Sequence, residues 1–194
     1  MPNPLFAQSS ATAPRRLHLT GAAGSGTTTL GRALAERLGL AHLDTDDFYW
    51  LPADPPYQAA RPMPERLTQL EAALDARKQG WVLSGSLAGW GDPLMRRFQT
   101  VIFLAVPTDE RLRRLEARER ARYGAAIDPG GAMHAHSRAF LRWAAEYDDG
   151  DHTMRSRARH DLWLKHVPCP VVRLEDLDSV ERRLERLLAL WEIA

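Results

Sequence analysis

Short apolar segments alternate along the chain with longer segments in which apolar residues recur at helical spacing. Residues 15–20 carry leucines at alternate positions, as a strand does, whereas residues 27–38 repeat apolar side chains at helical spacing before Gly39. The same patterns predict further strands over 40–44, 81–84, 100–106 and 170–174. They predict further helices over 65–79, 108–122, 137–147, 153–166 and 179–193. Strands that alternate with helices indicate an α/β fold, with a parallel sheet joined by right-handed crossovers.

The length of 194 residues is that of one domain. Residues 1–14 form a short polar segment with neither a basic start nor a long apolar stretch. We therefore expect a disordered tail over 1–14, rather than a secretory signal, and one domain over 15–194.

Charge and cysteine content narrow the function classes. The 26 basic and 25 acidic residues give a net charge of +1, which argues against a nucleic-acid binder or a membrane-surface binder. The single cysteine, Cys169, excludes an internal disulfide and a multi-cysteine zinc site. No apolar run approaches the roughly 18 residues that a membrane span needs. We therefore expect a cytoplasmic protein.

A glycine-rich turn joins the first predicted strand to the first predicted helix. Backbone N–H groups in such a turn, together with the helix N-terminus, bind phosphate. The turn has the phosphate-loop pattern except that Thr27 stands where the lysine is expected, and Thr28 supplies the hydroxyl for Mg²⁺. The alternative is a glycine-rich turn without a ligand. The predicted nucleotide-binding residues here are Gly21, Ala22, Ala23, Gly24, Ser25, Gly26, Thr27, Thr28 and Thr29.

The segment Gly24–Thr29, with the sequence GSGTTT, resembles the phosphate loop of archaeal-type cytidylate kinases, which also place threonine at this position. The resemblance implies that threonine need not abolish phosphoryl transfer. That lysine normally contacts the β- and γ-phosphates, so either an arginine elsewhere compensates for its missing charge or transfer is slow or absent.

Three carboxylates, Asp44, Asp46 and Asp47, follow the second predicted strand. In an open α/β sheet this edge faces the ligand crevice, where carboxylates hold Mg²⁺ or accept a proton from a hydroxyl. The alternative is a helix N-cap formed by Asp46 or Asp47.

The triplet Asp44-Thr45-Asp46 is most similar to shikimate kinase, and the whole chain resembles the shikimate, gluconate and adenylate kinase group of small P-loop kinases. This resemblance implies a three-layer P-loop NTPase fold with a five-stranded parallel sheet and a helical lid inserted at about 123–154. It implies ATP and Mg²⁺ as cofactors, with Thr28 and Asp44 at the metal and Asp46 at the acceptor hydroxyl. Ser84 stands where nucleotide kinases have aspartate. We expect either that Ser84 binds a magnesium-bound water or that Gly85 allows close approach of an acceptor.

Two groups of arginines are candidates for nucleotide contacts. Arg118 and Arg122 end the helix that precedes the lid, where they would reach the nucleotide. Arg155 and Arg159 are predicted on one helix face, and the resemblance implies that they clamp the transferring phosphate and replace the lysine charge. The alternative for Arg155 and Arg159 is surface ion pairing with Asp148, Asp149 or Asp151. For the arginines of the helix over 111–122, the alternative is a solvated face with the i,i+4 ion pairs Glu110–Arg114 and Glu116–Arg120.

The sequence thus predicts an ATP-dependent phosphotransferase that acts on a small metabolite or a nucleoside monophosphate. Its partner would be a small-molecule acceptor, with no nucleic acid and no membrane, and it would be a monomer or homodimer. One alternative is a non-catalytic ATP-binding module that switches a partner surface, favoured by the absence of Lys at 27 and Asp at 84. A second alternative is RNA binding through the arginine-rich helix over 111–122.

Overall fold

The computed structural model describes residues 15–191, so the predicted tail over 1–14 and residues 192–194 lie outside the described residues. The described strands form one five-stranded sheet in the order β2-β3-β1-β4-β5, and every neighbouring pair is parallel. The strands are β1 (Arg16–Gly21), β2 (Ala41–Asp44), β3 (Trp81–Ser84), β4 (Thr100–Leu104) and β5 (Val171–Leu174). The α-helices are α1 (Thr27–Leu38), α2 (Thr45–Tyr49), α3 (Met63–Asp75), α4 (Thr108–Tyr123), α5 (His134–Ala145), α6 (Arg157–His166) and α7 (Val180–Leu190).

Side chains of the central strands point alternately into two apolar cores, one on each face of the sheet. In β4, Ile102 joins the core that Leu30 and Leu187 contribute from α1 and α7. The neighbouring Phe103 joins the core that Leu70 and Trp163 contribute from α3 and α6. Because both faces of the sheet are covered, β4 is buried along its whole length and four of its five residues are apolar.

Helix α1 packs closely on the sheet at Gly31. This residue is buried, and a Cβ here would collide with the hydroxyl oxygen of Ser84 on β3. Glycine therefore allows the helix that begins at the phosphate loop to pack directly on β3.

Several predicted boundaries are wrong, and each has a local cause. The helix predicted from 153 begins at Arg157, because the side chain of Ser156 caps it by accepting from the backbone N–H of Arg159. The helix predicted from 65 begins at Met63, since Pro64 fits the first turn, where its missing N–H is not needed. The helix predicted from 137 begins at His134, and a 3₁₀ helix, Gly124–Ile127, lies at the start of the predicted lid. A second 3₁₀ helix, Asp92–Arg97, was not predicted.

Within residues 15–191, no helix combines the length and the apolar character that crossing a bilayer requires.

Candidate active site

The turn between β1 and α1 has the backbone geometry of an anion-binding loop. Gly24 and Gly26 have φ angles of 81° and 92°, in the left-handed region that glycine adopts without strain. A Cβ on Gly24 would come within 2.7 Å of the carbonyl oxygen of Arg111. Gly26 is the N-cap of α1 and brings no side chain to the first N–H groups of the helix. Those N–H groups are therefore available to a phosphate.

The end of β2 contacts the start of α1 through a threonine and an aspartate. The hydroxyl of Thr28 donates to Oδ2 of Asp44 over 2.7 Å. The other oxygen of Asp44 accepts from the backbone N–H of Asp46 and caps α2, so the N-cap is Asp44 and not Asp46 or Asp47. A hydroxyl and a carboxylate side by side at a phosphate loop are oxygen ligands of the kind that suits Mg²⁺. Protein sites for this ion usually supply only one or two such ligands and leave the other coordination positions to water and phosphate.

Asp46 points into the open cleft, so solvent reaches it even though protein surrounds much of the side chain. Burial, followed by repulsion from Asp44, raises the pKa of its carboxyl above the ordinary value, while the charges of Arg155 and Arg118 oppose that rise. A carboxylate with a raised pKa is a better proton acceptor than an ordinary aspartate.

Ser84 has a different environment from the one that the sequence predicted. It is fully buried, lies 2.9 Å from Nε2 of His42 and donates to the carbonyl oxygen of Thr27 over 3.1 Å. Its hydroxyl therefore ties β3 to the phosphate loop, and Ser84 is not part of the cleft wall. The expectation that Ser84 binds a magnesium-bound water is wrong, because its hydrogen bonds are already made inside the protein. Gly85, in contrast, lines the cleft, as close approach of an acceptor requires.

A cavity of about 360 Å³ lies above the carboxyl edge of the sheet. The phosphate loop and the ends of β2 and β3 form its floor, and α4, α5 and Arg155 form the opposite wall. Aromatic side chains line much of the cavity: Trp50 and Tyr57 from the segment after α2, Tyr123 from α4, and Phe140 and Trp143 from α5. The cavity thus joins the predicted phosphate site, the two aspartates and the lid segment.

Arg155 crosses the cleft to the phosphate loop. Its terminal NH2 nitrogen donates to the carbonyl oxygen of Gly21 over 2.7 Å, and its guanidinium lies 5.8 Å from the ring centre of Trp143. Nε of Arg155 is buried and has no hydrogen-bond partner within residues 15–191. Burial lowers the pKa of this guanidinium, and Asp46 acts in the opposite direction. A positive charge therefore sits beside the loop that lacks its lysine.

The prediction that Arg155 and Arg159 share a helical face is wrong, because Arg155 precedes α6. The side chain of Arg159 donates to the carbonyl oxygen of Thr153 over 3.3 Å and lies against Gly89. Arg159 does not line the cleft.

Arg118 and Arg122 both line the cleft from the last turns of α4. The guanidinium of Arg118 lies 5.6 Å from the ring centre of Phe140, and that of Arg122 lies 4.9 Å from the ring centre of Tyr57. Arg122 also approaches the carboxylate of Glu119, at 3.7 Å. Glu119 is 2% exposed and lines the cleft, although the charged pattern of α4 gave no reason to place it there.

Arg111 was grouped with the solvated arginines of α4, yet it is completely buried. Its guanidinium donates to carbonyl oxygens of Val106, Ala23 and Ala144, and to Asp148 over 3.0 Å. It therefore joins the phosphate loop to the end of α5. Of the ion pairs predicted on this helix, Glu110–Arg114 is confirmed, whereas Arg120 pairs with Asp128 and not with Glu116.

Residues 18–128, more than half of the chain, match the family model described as AAA domain. The uncharacterized protein YqaC of Bacillus subtilis strain 168 is 44% identical over 174 residues, which cover 90% of this chain and 96% of YqaC. Shikimate kinase from Bacteroides thetaiotaomicron matches with a TM-score of 0.57 at 21% identity, covering 93% of this chain and all of that one. A sugar kinase from Janibacter sp. HTCC2649 matches with a TM-score of 0.54 at 17% identity, covering 94% and 96%.

The structural similarity confirms the predicted fold class, a three-layer α/β P-loop NTPase fold with a five-stranded parallel sheet. The match over residues 18–128 includes the phosphate loop and both cleft aspartates. The chain therefore belongs to the AAA domain family and is a relative of YqaC.

Proposed function

We propose that this protein is an ATP-dependent phosphotransferase that transfers the γ-phosphoryl group to a hydroxyl of a small acceptor. The observation that carries the proposal is the meeting of four groups at one cleft: the phosphate loop, the Thr28–Asp44 pair, Asp46 and Arg155. The names of the structurally similar proteins, shikimate kinase and sugar kinase, support a small hydroxylated acceptor.

The donor side consists of backbone N–H groups and two oxygen ligands. The first turn of α1 and the residues before it would hold the β- and γ-phosphates, and Thr28 with Asp44 would hold Mg²⁺. Mg²⁺ held there would supply positive charge that offsets the negative charge of the phosphates. Arg155 supplies the cation that Thr27 lacks, since it already lies against Gly21 at the start of the loop.

The acceptor side is centred on Asp46. The acceptor oxygen forms a bond to the γ-phosphorus, the bond to the β–γ bridging oxygen breaks, and ADP leaves. The carboxylate of Asp46 takes the hydroxyl proton, for which its raised pKa suits it. Positioning and charge stabilisation supply most of the rate in such transfers.

One observation favours the second candidate, an ATP-binding module without transfer. Ser84, at the position where nucleotide kinases carry aspartate, is committed to His42 and Thr27 inside the protein. In that case ATP would order the lid segment and change the surface offered to a partner.

The test is ADP formation from Mg-ATP, with and without a panel of acceptors. The panel holds nucleoside monophosphates, nucleosides, shikimate, gluconate and related hydroxy acids. We expect ADP formation to depend on one acceptor class and to be lost in Asp46→Asn, which should still bind ATP. ATP binding without acceptor-dependent ADP formation would overturn the proposal in favour of the binding module.

A further inference from the structure

Three side chains from distant parts of the chain form a hydrogen-bonded line that ends at the cleft. The hydroxyl of Tyr147 lies 2.6 Å from Nδ1 of His160, and Nε2 of His160 lies 2.8 Å from Oγ of Ser86. His160 is completely buried and Tyr147 is 5% exposed, whereas Ser86 lines the cleft just beyond β3. The proposed phosphoryl transfer makes no use of this line.

The imidazole in the middle of the line is neutral. Burial, and after it the charge of Arg155, holds the pKa of His160 well below its ordinary range. A neutral imidazole donates from one nitrogen and accepts at the other. The two hydrogen bonds of the line therefore run in the same direction. That direction depends on whether Nδ1 accepts a hydrogen bond from its neighbour or donates one to it.

The phenol of Tyr147 decides that direction. Burial raises the pKa of Tyr147, so it keeps its proton. Within residues 15–191 this hydroxyl has no other hydrogen-bond partner than His160. If Nδ1 carried the proton, the phenol hydrogen would be buried without an acceptor, which is unfavourable. Tyr147 therefore donates to Nδ1, and Nε2–H donates to Oγ of Ser86.

This direction leaves the hydroxyl hydrogen of Ser86 free for a ligand. Its oxygen already accepts from His160, and the indole N–H of Trp90 holds the Ser86 backbone by donating to its carbonyl oxygen over 3.0 Å. We propose that Tyr147 and His160 are positioning residues that present Ser86 to the phosphoryl acceptor as a fixed hydrogen-bond donor. The acceptor would then carry, beside its reactive hydroxyl, an oxygen with a free lone pair, as a carboxylate, phosphate or carbonyl group does. This inference rests on the proposed function, because it takes the cleft to be the acceptor site.

The direction of the line is tested by the tautomer of His160, which does not depend on activity. Long-range ¹H–¹⁵N spectra of the full-length protein distinguish a protonated Nε2 from a protonated Nδ1. We expect the Nε2–H form in the wild type and loss of that preference in Tyr147→Phe. Tyr49→Phe, which removes a phenol outside the cleft wall, should leave the signals unchanged. An Nδ1–H form in the wild type would overturn the proposal.

Ligand contact is tested with four probes: shikimate, gluconate, AMP and CMP. We expect at least one to shift the His160 nitrogen signals of the wild type and to bind about tenfold more weakly to Ser86→Ala and Tyr147→Phe, as the loss of one hydrogen bond predicts. In turnover assays with that probe, its KM should rise while the KM for ATP stays constant. If no probe moves the His160 signals, or if Ser86→Ala binds as the wild type does, the assignment fails. Acceptor-dependent ADP formation would persist in the second case, so this failure is separable from failure of the proposed function.

Discussion

At the scale of single residues, the phosphate loop of this protein is bordered by a guanidinium instead of an ammonium. Arg155 donates to Gly21 and lines the cleft. We expect Arg155→Met to lower turnover by roughly 10²–10³-fold, the usual effect of removing one preorganised charge-stabilising donor, with a smaller change in ATP affinity. The assay is steady-state ADP formation.

Arg157→Met is the matched control for that variant, because Arg157 lies two residues further on and pairs at the surface with Asp161 and Glu175. It should keep nearly full turnover. Equal losses in the two variants would show that Arg155 acts through general stability and not through its charge at the loop.

Asp46 gives a prediction about stability and pH. Because its pKa is raised in the folded protein, folding disfavours the carboxylate. The wild type therefore loses stability, relative to Asp46→Asn, as the pH rises through the ordinary aspartate pKa and on to the raised value in the folded protein. The measurement is urea unfolding at pH 4, 5, 6 and 7. Relative to the wild type, the free energy of unfolding of Asp46→Asn should increase across this range. A stability difference between the two proteins that stays constant with pH, or that shifts towards the wild type as the pH rises, would contradict the raised pKa.

At the scale of elements, α4 is anchored by one arginine while its other arginines face solvent or the cleft. Arg111 is wholly buried, and its guanidinium satisfies carbonyl oxygens of Val106 and Ala144. We expect Arg111→Met to lower the free energy of unfolding by about 3 kcal/mol, because it leaves several buried acceptors unpaired. The measurement is equilibrium unfolding in urea.

Arg113→Met provides the comparison, since the side chain of Arg113 is 69% exposed and pairs with Glu110 on the same helix. Its effect should stay within about 0.5 kcal/mol, as for most surface substitutions. Similar values for the two variants would mean that the contacts of Arg111 add little to the stability of the fold.

The same helix explains which parts of the site were predictable from sequence. The glycine-rich turn and Asp44 are found from local spacing, because a strand, a turn and a helix start are adjacent in the chain. Nothing in the spacing of α4 distinguishes Arg111 or Glu119 from their solvated neighbours. Their burial depends on how α5 and the phosphate loop pack against α4, which only the tertiary structure determines.

At the scale of the whole molecule, the site exists because parallel strands bring their carboxyl ends to one edge. The order β2-β3-β1 puts Asp44, Ser86 and the phosphate loop next to one another, although they are separated along the chain. The alternation of strands and helices predicted this convergence. It did not predict that Ser86 would meet His160, 74 residues further on, because that contact depends on where α6 packs.

Binding of Mg-ATP should therefore stabilise the whole domain. At a ligand concentration 100 times Kd, the expected gain is about 2.7 kcal/mol, or roughly 5–10 °C in Tm for a domain of this size. Thr28→Val removes one of the two proposed Mg²⁺ ligands and leaves Asp44, so the gain in Tm with ATP on replacing EDTA by Mg²⁺ should be smaller than in the wild type. Asp46→Asn should keep the full shift, because its carboxylate serves the acceptor and not the nucleotide. Thermal melts of the three proteins separate these roles, and a Thr28→Val protein that responds to Mg²⁺ as strongly as the wild type would place the metal elsewhere in the cleft.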